Sequence, residues 1–137
     1  MKPFPILKHS WAGIYRFLKM KVEGAVLVTA IRCKVFDCLT EPVAAASVAQ
    51  RLNLQPRNTE LFFNALVGMD LLEKHNGLFA NTGMSNEFMV TSSPAYLGTF
   101  FCRVHEWYEQ FRSPVQMKEF VRSGPGGTTD RIDDANW

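Results

Sequence analysis

No stretch of this chain approaches the ~20 consecutive apolar residues that a membrane-spanning helix needs. The opening MKPFPILKHSW holds no apolar run long enough for a secretory signal. Cysteine is scarce. Cys33, Cys38 and Cys102 make an odd count without a C-x-x-C pair, which argues against a disulfide framework and a zinc ribbon. These absences lead us to expect a soluble, cytoplasmic protein with reduced thiols. Histidine is also sparse, and His9, His75 and His105 are scattered with no metal-ligand spacing. No Ser/His/Asp or Cys/His arrangement suggests a nucleophile. The one glycine-rich stretch, Gly124–Asp130 (GPGGTTD), follows no strand and lacks both G-x-G-x-x-G and a closing Gly-Lys-Ser/Thr, so it reads as linker.

The 137 residues suffice for one domain with a core and are few for an enzyme that also carries a cofactor domain. A net charge of +2 is ordinary, but its distribution is uneven. Residues 1–39 balance to +5, residues 40–82 to −1 and residues 83–137 to −2.

Pro3 and Pro5 keep the first residues extended. Ser10 can cap a helix over Trp11–Met20, whose Trp11, Ile14, Tyr15 and Leu18 recur at helical steps. A second helix is expected over Glu23–Cys33, and Val35-Phe36-Asp37-Cys38-Leu39 then drops large apolar groups into the core. Thr40-Glu41-Pro42 breaks the chain. Ala45–Leu52 reads as a short helix burying Val48, Ala49 and Leu52. Asn53-Leu54-Gln55 makes a turn, and Pro56 suits the first position of the next helix. That helix, Pro56–Met69, is expected to bury Leu61, Phe62, Ala65, Leu66 and Met69, with Asp70 ending it in left-handed geometry. Leu71–His75 and Leu78–Asn81 flank Asn76-Gly77, a strong hairpin signal because a type I′ turn needs positive φ at both central residues. Helix, turn, helix and hairpin together make a winged helix.

Ser85–Met89 reads as a turn or short helix. Ser92-Ser93-Pro94 marks a further helix start, running to about Phe111 with an apolar stripe of Leu97, Phe100, Phe101, Val104, Tyr108 and Phe111. Trp107 falls off that stripe, on the side of Arg103, so this helix is expected to pack on two sides. Glu106 and Glu109 read as a solvated face. A last helix is expected at Val115–Arg122, with residues 123–137 as a linker. The fold class is mainly α: a winged helix-turn-helix with a small β-hairpin wing and additional flanking helices.

A winged helix raises DNA binding. Its second helix opens with Arg57, Asn58, Thr59 and Glu60, and acids cancel the few cations across the module. A nucleic-acid footprint shows as a basic stripe. The basic excess lies instead near Lys8, Arg16, Lys19 and Lys21, which can cluster. A stand-alone winged-helix transcriptional regulator therefore remains the alternative reading, with the charge arguing against it.

VFDCLTEP, then SVAQRLNLQPRNTELFFNALVGMDLLEKHNGLFANT, then SSPAYLGTF resembles the N-terminal dimerisation domain of the acetylserotonin and caffeate type O-methyltransferases. The similarity runs from about Glu23 to Arg122, and its specificity lies in the order of the pieces. The resemblance implies an intertwined homodimer, held through the N-terminal helices and the long helix after the wing, in which the winged helix serves assembly. It implies that the long helix walls the pocket for a hydrophobic small-molecule acceptor. By position the wall residues are Leu97, Phe100, Phe101, Arg103 and Trp107, and Trp11–Met20 can reach the partner's pocket. Asp70 departs from the family, which usually has Gly there. S-adenosylmethionine is implied for the parent enzyme. Its binding loop, ribose ligand and catalytic base would lie past Trp137, so this chain is expected to bind no cofactor or metal and not to be catalytic alone. Residues 1–122 would form the dimerisation and acceptor-binding domain, and residues 123–137 the linker toward the S-adenosylmethionine domain.

Overall fold

A computed structural model describes residues 8–109 and 114–123. The expected extended start at residues 1–7, the end of the long helix near Phe111 and the linker at 124–137 lie outside these residues. The described chain up to Cys102 forms one compact unit, and the chain from Arg103 onward a second. No described helix is long and apolar enough to cross a membrane.

Helix α1 spans Ala12–Arg32 without a break, where the sequence suggested two helices. Gly24 costs such a helix about 1 kcal/mol, too little to stop it. Lys19 and Glu23 bridge the expected gap with an (i, i+4) pair at 3.3 Å, and Thr29 Oγ1 donates to the Ala25 carbonyl at 2.7 Å. Trp11 stands at the N-cap, while the Ser10 hydroxyl accepts from the Ala12 N–H at 3.3 Å. Only Val28, Ala30 and Ile31 of this helix are buried. Lys34 then turns left-handed (φ 58°), and the 3-10 turn Val35–Cys38 delivers Val35, Phe36 and Cys38 to the core.

Helix α2 (Ala45–Leu52) and helix α3 (Pro56–Gly68) form the helix-turn-helix. Asn53 closes α2 in the left-handed region at φ 55°, and the Leu54 N–H reaches back to the Ala49 carbonyl at 2.7 Å. The Gln55 side chain caps α3 by accepting from the Asn58 N–H at 2.6 Å, with Pro56 in the first turn. At the far end Asp70 (φ 59°) turns left-handed as expected, and the Leu71 N–H bonds the Leu66 carbonyl at 3.0 Å.

The face that α3 buries differs from the expected one. Thr59, Phe63 and Leu66 are buried, Phe62 and Met69 are half-buried, and Leu61 and Ala65 are exposed. Phe63 wins the core position because its ring meets Phe79 edge-on, with centroids 5.3 Å apart.

The wing forms as expected. Strands β1 (Leu72–His75) and β2 (Leu78–Asn81) pair antiparallel, with Leu72 opposite Asn81 and His75 opposite Leu78. Asn76 (φ 52°) and Gly77 (φ 77°) make the turn. Val43 adds a bridge to Phe79 through bonds of 2.9 and 2.8 Å. Asn81 is buried and ties the wing to the 3-10 turn, donating from Nδ2 to the Phe36 carbonyl at 2.8 Å. The core is thus Phe36, Leu39, Phe63, Leu66, Leu72 and Phe79.

Helix α4 (Gly83–Phe88) is capped by Thr82, and its buried Ser85 hydroxyl donates to the Leu71 carbonyl at 2.6 Å. Asp37 then holds the next segment, its carboxylate accepting from the Thr91 N–H and hydroxyl at 2.8 Å each. Helix α5 (Gly98–Glu109) starts later than Ser92-Ser93-Pro94 suggested. Ser93 caps a single turn instead, and the Leu97 N–H is taken by the Phe88 carbonyl at 2.8 Å. Gly98 is buried, and a Cβ there would run into the Tyr96 ring. Helix α6 spans Pro114–Ser123.

Candidate functional site

The residues read as pocket wall fall on or beside α5. Leu97 precedes the helix and is 38% exposed, and its carbonyl accepts from the Phe101 N–H at 3.0 Å. Phe100 is 56% exposed, with its ring centroid 5.8 Å from that of Phe101. Leu97, Phe100 and Phe101 are therefore neighbours. Arg103 and Trp107 belong to the second unit, where Arg103 is exposed and the half-buried Trp107 ring lies 5.1 Å from Tyr108.

Phe101 turns inward. It lines an apolar cavity of about 190 Å³ together with Leu27, Leu71, Met84, Phe88 and Met89. No polar atom faces this cavity. It can accept an apolar group but cannot orient a hydroxyl by hydrogen bonding. The contributions of Leu27, Met84 and Met89 were not legible in the sequence, since these residues share no motif.

The larger apolar surface is on α1. Trp11 and the α1 residues Ile14, Tyr15, Leu18 and Val22 form a stripe at helical spacing, each more than half exposed. Phe17 and Met20 lie off that stripe and are exposed as well. A helix apolar on more than one face is normally covered on more than one side.

Among the described residues no group of three or more His, Cys, Asp or Glu could hold a metal ion. His75 is exposed on the wing, and His105 lies 3.3 Å from Glu109 on α5, an ion pair only when the imidazole is protonated. Cations on the wing and on α1 are partly engaged. Lys74 on the wing contacts Asn64 at 3.2 Å, Glu60 at 3.8 Å and the Phe79 ring at 4.8 Å. Arg16 stacks over Phe17 at 5.0 Å and Lys19 pairs with Glu23. Lys8 and Lys21 are exposed.

Comparison with known proteins agrees with this picture. The family model for the O-methyltransferase dimerisation domain matches residues 15–91. Acetylserotonin O-methyltransferase of Rattus norvegicus is 37% identical over 71 residues, which are 50% of this chain and 16% of that enzyme. The solved human N-acetylserotonin methyltransferase, in complex with SAM, superposes with a TM-score of 0.67 at 26% identity, covering 88% of this chain and 37% of that one. An O-methyltransferase family protein from Burkholderia thailandensis shares the fold, with a TM-score of 0.70 at 21% identity over 85% of this chain and 34% of that one. This chain thus spans a minor part of the length of the proteins it matches. Neither the family model nor these relatives support the DNA-binding alternative.

Proposed function

This chain belongs to the O-methyltransferase dimerisation domain family, and from that we propose that it is the N-terminal dimerisation and acceptor-binding domain of a S-adenosylmethionine-dependent small-molecule methyltransferase. The observation that carries the reading is the uncovered apolar surface of α1. Seven large apolar side chains between Trp11 and Val22 are each more than half exposed. An apolar surface of this kind, left open to water, is what a partner normally covers. A second copy is the occupant the family supplies, and a two-fold arrangement covers the Trp11–Val22 stripe of both helices with one contact.

The wall residues proposed for a hydrophobic acceptor are Leu97, Phe100 and Phe101 in the first unit and, each taken by itself, Arg103 and Trp107 in the second. The apolar side chains of the first unit would shield an acceptor from water. Fixing an acceptor in this way serves a displacement reaction through proximity and orientation. The described residues do not fit S-adenosylmethionine itself. Their only sheet is a two-stranded hairpin, with no strand–glycine loop–helix unit to cradle the cofactor. The chemical step is assigned to the cofactor domain of the parent enzyme, in a cytoplasmic setting consistent with three free cysteines.

Sedimentation equilibrium on the 137-residue chain tests the dimer. We expect a dimer that Leu18→Asp converts to monomer with its circular dichroism unchanged. A wild-type chain that stays monomeric at high micromolar concentration would end this reading. For the pocket wall, 1-naphthol is expected to quench tryptophan fluorescence saturably, and Phe100→Ala to weaken that response. An unsaturable response equal in both proteins would remove the wall assignment.

A further inference from the structure

The tip of the wing carries a chemistry that neither the core nor the proposed pocket uses. Asn76 and Gly77 are exposed, and they join β1 to β2 outside the ladder, whose last pair is His75 with Leu78. Asn76 sits at φ 52° and Gly77 at φ 77°. A Cβ added to Gly77 would meet nothing within 4 Å, so the space on that side of the turn is open. Of the chain's asparagines only Asn76 precedes glycine; every other is followed by a residue with a side chain.

An asparagine amide is open to attack by the backbone nitrogen of the residue after it. The Gly77 nitrogen bonds to Asn76 Cγ, the bond from Cγ to the side-chain nitrogen breaks, and that nitrogen leaves as ammonia with the proton given up by Gly77. The product is a cyclic imide. Water then opens it. Addition at Cγ leaves an aspartyl residue, whereas addition at the main-chain carbonyl carbon leaves an isoaspartyl residue, with the chain running through the side-chain carbons. A side chain on the following residue crowds the attacking nitrogen, and glycine has none. The attack also requires the backbone at Asn76 to rotate out of its turn. A tip of exposed residues between strands of 4 residues each opens readily.

We propose that the wing tip is a site of spontaneous covalent modification, at which Asn76 loses its amide through an imide formed with Gly77. The two products act on the wing in opposite ways. Asp-Gly suits the same tight turn as Asn-Gly, so the aspartyl product keeps β1 and β2 in register and adds a negative charge. The isoaspartyl product lengthens the backbone between His75 and Leu78 by a carbon atom. A two-residue turn has no slack for it, so the His75–Leu78 pair opens first. The next residue, Phe79, anchors the wing through its ring contact with Phe63 and its bridge to Val43, so the break falls beside the core. The reaction is independent of the homodimer reading and of the acceptor pocket.

The test is incubation of the full 137-residue chain in mildly alkaline buffer, folded and in urea, followed by peptide mapping with electron-transfer fragmentation, which distinguishes aspartyl from isoaspartyl linkages. In the folded chain Asn76 should lose its amide at least about ten-fold faster than the exposed Asn53 and Asn58, which precede Leu54 and Thr59. After conversion, amide exchange at Leu78 should show a second population roughly ten-fold faster than the native one. Asn76→Gly removes the reactive amide and keeps a turn-compatible pair, so its Leu78 exchange should stay unchanged through the same incubation. An amide at Asn76 that survives in the folded chain and is lost only in urea would overturn the proposal, because the turn would then protect the site. Loss at Asn76 no faster than at Asn53 or Asn58 would overturn it too. Conversion with no second Leu78 population, or an equal one in Asn76→Gly, would overturn the break in the wing.

Discussion

Asn81 offers a sharp test of how the wing is held. Its side chain is 4% exposed and spans 45 residues of sequence, donating from Nδ2 to the Phe36 carbonyl at 2.8 Å and to Asn86 Oδ1 at 3.0 Å. Asn81→Ala removes the only side-chain donor the structure gives that buried carbonyl. A neutral hydrogen bond contributes about 1 kcal/mol net, and the Phe36 carbonyl keeps the Leu39 N–H at 3.2 Å, so it loses one of two donors and is not orphaned. The Asn86 amide is exposed and turns to water, so it adds little. The Asn81 Oδ1 finds no donor among the described residues, which keeps the total at the low end. The expected loss is about 1–2 kcal/mol, a sizeable part of a domain's ~5–15 kcal/mol. Asn81→Asp is nearly isosteric, but at neutral pH it aims a carboxylate at the Phe36 carbonyl, acceptor against acceptor. It should cost about 1–2 kcal/mol more than alanine despite its better fit. Urea titration followed by circular dichroism measures both, at one fixed protomer concentration because dimerisation adds to apparent stability. A loss below about 0.5 kcal/mol for alanine, or an aspartate variant no worse than alanine, would refute the account of the wing's anchor.

Three further substitutions probe separate parts of the fold. Phe63→Ala deletes a fully buried ring packed edge-on against Phe79 and should cost about 3–5 kcal/mol in the same titration, whereas Leu61→Ala two residues earlier should cost under about 1 kcal/mol at a concentration where the chain is monomeric. Asp37→Ala frees the Thr91 N–H and hydroxyl, but Thr91 is exposed and water can replace the carboxylate. We expect about 1 kcal/mol of stability lost, with faster amide exchange at Thr91 by NMR; unchanged exchange there would show that Asp37 does not hold the segment before α5.

Local chemistry was legible wherever one residue type is needed for a backbone conformation. Asn53, Asp70 and Asn76-Gly77 all adopt the left-handed geometry that marks their turns, and Pro56 opens its helix. The winged helix follows from those punctuation marks and from the hydrophobic period between them. Helix boundaries set by distant contacts were not legible. The break suggested near Met20–Glu23 does not exist, because weak local signals there yield to helix continuity. The start of α5 is delayed because Leu97 is bonded to Phe88, nine residues away in sequence.

The proposed pocket-wall residues rest on resemblance alone, since nothing in their spacing distinguishes a wall from a core. The α3 stripe shows the limit most plainly. Its period announced a buried apolar face, but the core takes Phe63 and leaves Leu61 and Ala65 exposed, which periodicity alone does not decide. The sequence by itself determined the order of helices, turns and hairpin, because those depend on neighbours within a few residues. Only the tertiary structure decided that Phe63 instead of Leu61 enters the core, and that α1 extends beyond it. Those outcomes depend on which surfaces remain uncovered once the elements have packed.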